Sequence, residues 1–279
     1  PSSARISLTF IGIAFLCLFF ADFSVNTQTP WQEFSRLAAG FLSPTWLPWS
    51  ELTSALANTV AFALTGVSIA AIVGFLFSLQ FHRRSVRTFC ASIRAVHELF
   101  WGLLFIQLFG LHPIVGVLAI AIPYSGIFAK VYAEIVEEND AQKSVGLPRK
   151  SDSVSRFFYA RWPQIKPHFA SYTRYRLECG LRSSTVLGFI GLPSLGFHLE
   201  SGFMQGDYGM VAALLLISYG LIASVQHWTR AKLMPIYLGL SLFYLWTPIK
   251  LDSDLLQLLF ADMIQQPVQL PQSDAGLMG

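Results

Sequence analysis

Six stretches of this chain stay apolar long enough to cross a lipid bilayer, and that sets the solvent in which the rest must fold. A spanning helix needs about 20 mostly apolar residues. Ile6 to Phe23, Ala55 to Phe81, Ala95 to Leu111, Ile114 to Tyr132, Tyr208 to His227 and Leu233 to Thr247 meet or approach that length. Charged residues make up only 13% of the chain and hydrophobic ones 53%, far from the roughly one-quarter charged content of a soluble domain. Backbone polar groups in lipid must be satisfied within each segment. The expected fold class is therefore all-α, a polytopic membrane helical bundle.

A seventh segment, Phe169 to Ile190, carries Arg174, Arg176, Glu178 and Arg182, so hydropathy alone would pass over it. Orientation requires it. With seven spans and a cytoplasmic N-terminus, basic residues gather on the cytoplasmic side, as the positive-inside rule demands. Of the 19 basic residues, only Arg36 and Lys250 fall outside. Removing the charged span would put Arg230 and Lys232 on the outer face.

Ile6 to Phe20 with Arg5 before it has some features of a secretory signal, but no small-x-small cleavage site follows in Phe19-Phe20-Ala21-Asp22-Phe23. Cys17, Cys90 and Cys179 lack metal-ligand spacing and read as small core residues. His112, His168, His198 and His227 are scattered, with no metal site expected. The net charge of +3 follows membrane topology and forms no basic domain, so nucleic acid is not an expected partner. No Gly-x-x-x-x-Gly-Lys-Ser/Thr loop is present, hence no nucleotide site is expected in this chain. Gly188, Gly191 and Gly196 lack the context of a dinucleotide fingerprint and are expected to let a helix end and the chain turn.

The chain divides into three regions. Residues 1–54 hold a first span and an outer segment in which Trp31, Phe34, Leu37 and Phe41, followed by Trp46 and Trp49, read as an interfacial amphipathic helix. Residues 55–232 form the core. Residues 233–279 repeat the N-terminal plan, with a span, the polar break at Asp252 and Asp254, and the amphipathic stretch Leu255 to Ile264. That is the pattern expected if a second related membrane unit starts here.

Between two spans lies a basic, mostly polar segment. Within it Val145, Leu147, Val154, Phe157, Phe158, Tyr159 and Trp162 interrupt the polar residues. A solvated loop has no use for such aromatics. Two short helices breaking near Gly146-Leu147-Pro148 and ending before Trp162-Pro163 would gather them on a face for a protein partner.

Four blocks now carry a resemblance: Arg94-Ala95-Val96-His97-Glu98-Leu99-Phe100-Trp101; Trp162-Pro163-Gln164-Ile165-Lys166-Pro167; Ser171-Tyr172-Thr173-Arg174-Tyr175-Arg176-Leu177-Glu178; and Leu181-Arg182-Ser183-Ser184-Thr185-Val186-Leu187-Gly188-Phe189-Ile190-Gly191. Over about Ala55 to Lys232 the chain resembles the membrane permease subunits of binding-protein-dependent ABC importers, specifically the phosphonate-uptake type. The resemblance implies a non-catalytic subunit of a bacterial inner-membrane transporter with about seven spans. Its implied partners are a cytoplasmic ABC ATPase dimer, which binds ATP and magnesium, a periplasmic substrate-binding protein, and a second permease copy or fused second half.

The resemblance also makes Ala141 to Pro163 the coupling helix that docks onto the ATPase, with Ser144, Val145, Gly146, Lys150, Phe157, Tyr159 and Trp162 as contacts. The family pattern has a Glu-Ala pair and a later Gly, where this chain has Ser144-Val145 and Lys150. Phosphite, hypophosphite, phosphate esters, inorganic phosphate and methionine are the competing cargoes. A channel or a membrane-embedded enzyme are the competing classes, the latter lacking any clustered acid, base or nucleophile.

Ionisable groups inside spans face a cavity or each other. That singles out Arg94, His97, Glu98, Glu178 and Arg182, with Ser183, Ser184 and Thr185 beside them, as the candidate substrate pathway. Glu178 and Arg182 are four apart and so share a helix face, where they can pair. Alternatively, Arg182 and the three hydroxyls offer hydrogen bonds to a phosphorus oxyanion.

Overall fold

The structure, a computed structural model, describes residues 3–21, 30–140, 159, 162–229 and 233–246. Among them run ten α-helices: α1 Ser3–Phe20, α2 Pro30–Leu42, α3 Trp49–Ser78, α4 Arg84–Ala95, α5 Glu98–Phe109, α6 Pro113–Asp140, α7 Trp162–Val186, α8 Leu195–Gln205, α9 Tyr208–Trp228 and α10 Met234–Tyr244. A 3₁₀ turn, Leu187–Ile190, follows α7. No strand occurs among the described residues. The fold is a helical membrane bundle. Of the coupling residues named above, Ser144, Val145, Gly146, Lys150 and Phe157 lie outside the described residues, as does the chain beyond 246.

Three helices are long and apolar enough to cross a bilayer by themselves: Trp49–Ser78, Pro113–Glu138 and Tyr208–Trp228. The bundle is built around the pairing of α3 with α6. In lipid, helices gain nothing from hiding apolar surface, so close backbone approach must hold them together, and small residues permit it. Gly66 sits on Ile120, Gly74 on Phe128, and Gly116 on Phe62, so tightly that a Cβ at Gly74 would lie 2.4 Å from the Phe128 Cβ. Each of these partners is 54 positions from the other. A constant offset means that α3 and α6 run parallel.

Parallel neighbours force a crossing between them, because α3 ends where α6 must not begin. Only α4 and α5 are available to make it. Sequence patterning expected one span from Ala95 to Leu111; instead α5 starts at Glu98 and holds 12 residues, about 18 Å. Its axis meets that of α4 at 86°. The break arises because Val96 and His97 adopt extended backbone, and the His97 ring caps the new helix by accepting the Leu99 N–H at 3.3 Å. The return crossing is thus a broken one.

The charged helix α7 runs antiparallel to α3. Near its start, the Trp162 and Phe169 rings lie 6.1 Å from Phe75. Near its end, Ser184 donates to the Thr59 carbonyl at 2.8 Å, and Gly180 packs on Val67 between them. It begins at Trp162 rather than Phe169, and it follows α3 over most of its length despite its five charged side chains. Leu177, Leu181, Phe169 and Ile165 bury the opposite stripe in the main core with Phe62, Val67, Ile120 and Phe128.

At the outer end, as the basic residues orient it, α2 lies against the start of α9 through Gly40 and Tyr208. Tyr208 donates to Glu33 Oε2 at 3.1 Å. Trp31 and Phe34 point away, 82% and 64% exposed, as an interfacial helix requires. Every described side chain of α1 is exposed, and its mostly apolar surface suits lipid on all sides.

Candidate substrate pathway

The helix break at Val96 and His97 puts Glu98 at the first position of α5, where the unpaired N–H groups of a helix start favour a carboxylate. Its side chain is 17% exposed. Ser183 of α7 donates to Glu98 Oε1 at 2.6 Å, and the two residues are 85 positions apart. Ser183 also lies 3.0 Å from the Tyr124 hydroxyl. A serine has one proton to give, and Ser183 gives it to Glu98. Tyr124 therefore donates to Ser183, and the polar chain runs from Tyr124 through Ser183 to the carboxylate. His97, at 57% exposure, holds Nε2 3.7 Å from Glu98 Oε2 and completes the group.

Tyr124 stands near the middle of Pro113–Glu138, so this polar chain lies at mid-depth in the bundle. The same ring is the link to a second feature. The Arg176 guanidinium carbon sits 5.4 Å from the Tyr124 ring centre, 5.5 Å from Tyr172 and 5.7 Å from Tyr175. Arg176 Nε donates to the Tyr172 hydroxyl at 2.8 Å. Tyr172, Arg176 and Ser183 fall on one face of α7, being four and seven residues apart. One polar seam, Tyr172, Arg176, Tyr124, Ser183 and Glu98, runs along α7.

Of the residues picked from the sequence, His97, Glu98 and Ser183 come together here. The others do not join them. Ser184 is fully buried, with its hydroxyl on the Thr59 carbonyl, and Thr185 donates back to Leu181 at 3.0 Å. Both hydroxyls serve helix packing. The expected pairing of Glu178 with Arg182 is not made: no ion pair joins them among the described residues, and Arg182 is exposed while Glu178 is half-buried. Nor does Arg94 turn toward the break. It lines a separate cleft of about 460 Å³ at the inner end, with Arg87, Lys130, Glu134 and Glu137.

Tyr124 and Arg176 were missed as site residues. Arg176 stands in one of the resembling blocks, and its spacing from Ser183 was a usable signal. Nothing local distinguishes Tyr124, whose role depends on α7. Of the coupling residues within the described chain, Tyr159 is 84% exposed. The Trp162 ring instead turns into the bundle, 6.2 Å from Phe169, where it anchors the start of α7.

Over 202 residues, 69% of its length, the chain is 27% identical to the phosphite transport system permease protein PtxC of Stutzerimonas stutzeri, covering 74% of that protein. It is 32% identical over 183 residues to the phosphate-import permease protein PhnE of Mycolicibacterium smegmatis, a match spanning 59% of this chain and 34% of that protein. The chain is related to transport-system permeases. A protein of Escherichia coli K12 named for a cryptic phosphonate transport system is 28% identical over 101 residues, 36% of this chain and 83% of its own. No family model matches the chain, and no solved structure does.

Proposed function

We propose that this permease is the membrane subunit of an ATP-driven importer that moves a phosphorus oxyanion across the bacterial inner membrane. The observation that carries the reading is the match over 69% of the chain to a phosphite transport permease. The polar seam at mid-depth supports it, since ionisable side chains in a membrane are costly and mark transport routes. Energy comes from a cytoplasmic ATPase docked on residues 141–163, and cargo from an external binding protein. A second permease copy or half closes the pathway. Selectivity rests mainly with the binding protein, because a permease that held its cargo tightly would stall its release.

The test is ATP hydrolysis by the reconstituted complex of permease, ATPase and binding protein, titrated with phosphite, methylphosphonate, inorganic phosphate and methionine. Stimulation by one of the phosphorus anions and none by methionine is the expected result. An assembly that takes up no ATPase, or that responds only to methionine, overturns the reading. Deleting residues 141–161 is expected to abolish co-purification of the ATPase while leaving the permease in the membrane; solute flux that survives the deletion would mark a channel.

A further inference from the structure

Arg176 is a cation at mid-depth that no carboxylate among the described residues neutralises. Among the described residues, the ion pairs are Arg36 with Glu33, His97 with Glu98 and Lys130 with Glu134; none involves Arg176. A guanidinium so placed is costly unless something meets its charge. Three tyrosine rings and one phenolic oxygen do part of that work. The rings meet the cation without a formal negative charge. Of the five N–H donors, one on Nε is used by Tyr172, and the two Nη groups bond to no described residue. The fork that remains has the geometry that grips two oxygens of a phosphoryl or phosphonyl group.

We propose that Arg176 is the anion contact of the translocation pathway, its missing counter-ion being the cargo itself. This rests on the reading of the chain as a phosphorus-oxyanion importer. The aromatic surround suits a transient contact. A resident carboxylate would have to be displaced by every passing anion, whereas ring faces leave the fork open. Glu98, linked to the Tyr124 hydroxyl through Ser183, sets a negative charge at the far end of the polar chain and disfavours an anion there.

The experiment uses the full complex in proteoliposomes, with uptake of phosphite, methylphosphonate and inorganic phosphate measured for wild type, Arg176→Met and Arg176→Lys. Arg174→Gln, which removes a charge from an exposed position of the same helix, is the comparison. Complex assembly and basal ATP hydrolysis are recorded alongside. Arg176→Met keeps the bulk but loses the charge and is expected to lower the maximal uptake rate by about tenfold or more. The half-saturating concentration should stay unchanged, because the binding protein sets it. Arg176→Lys should recover part of the rate and Arg174→Gln most of it.

Uptake by Arg176→Met at the wild-type rate overturns the proposal. So does failure of both Arg176→Met and Arg176→Lys to assemble, which would make Arg176 a structural cation, paired for example with the second permease half. If wild type itself takes up none of the three anions, the importer reading falls instead.

Discussion

Ser183 takes part in two hydrogen bonds at once, and its position between two helices gives them consequences beyond their number. Removing one partner of a buried hydrogen bond strands the other at about 1–3 kcal/mol. Ser183→Ala leaves the Tyr124 hydroxyl without an acceptor and strips Glu98 of its donor, so it should destabilise the permease by about that amount in thermal unfolding in detergent. Tyr124→Phe should be milder, since Ser183 keeps its bond to Glu98. The double variant should cost less than the sum of the two, because both disrupt the same chain. Full additivity would mean that the chain is not coupled. Glu98→Gln retains an acceptor for Ser183 and should unfold near the wild-type temperature, whereas Glu98→Ala should not.

Helices in this bundle are held by how closely their backbones come together, and the glycines show where. The end of α7 presses on the start of α8 so closely that a Cβ at Gly196 would collide with the Thr185 carbonyl oxygen. One at Gly188 would lie 2.2 Å from the Phe197 nitrogen. In both places the obstacle is backbone, which cannot rotate away. Gly196→Ala and Gly188→Ala should therefore each lower stability by about 3 kcal/mol or prevent folding, the upper end of overpacking effects. Gly12 and Gly220 have nothing within 4 Å of the same position. Their alanine variants should express and unfold like wild type, and four similar unfolding curves would contradict the packing argument. The opposite case is Gly191, where a φ of 92° ends the 3₁₀ turn in a conformation that a side chain would strain.

The path of the chain from α3 to α6 follows from their pairing. Because α3 and α6 are parallel, the chain must recross the bilayer between them, and the break at Val96 and His97 is part of that return. With the N-terminus in the cytoplasm, the loop between α2 and α3 lies outside and the start of α4 lies inside. In a background with Cys17, Cys90 and Cys179 replaced, a membrane-impermeant maleimide should label Ser43→Cys in intact cells. Ser85→Cys should react only after permeabilisation; both positions are exposed. Labelling of both from one side would refute the crossing of α3.

What the amino-acid order settles alone is solvent and class. Runs of apolar residues, a near absence of outer basic residues and four local blocks led to a helical membrane permease, and these are properties of neighbouring residues that need no partner to be read. Even the charged helix α7 was legible, through the sidedness of Lys and Arg rather than through hydropathy. Tertiary structure decided the rest. Whether Ala95 continues into Leu99 as one helix depends on a histidine cap and on what α6 leaves room for. Whether Glu178 pairs with Arg182 depends on which way α7 faces, and the fold turns Arg176 and Ser183 toward Tyr124 instead. The site joins Glu98 to Ser183 across 85 positions, and Ser183 to Tyr124 across 59. A local pattern holds no record of such contacts, because what fixes them is the distance of closest approach between helices far apart in the chain.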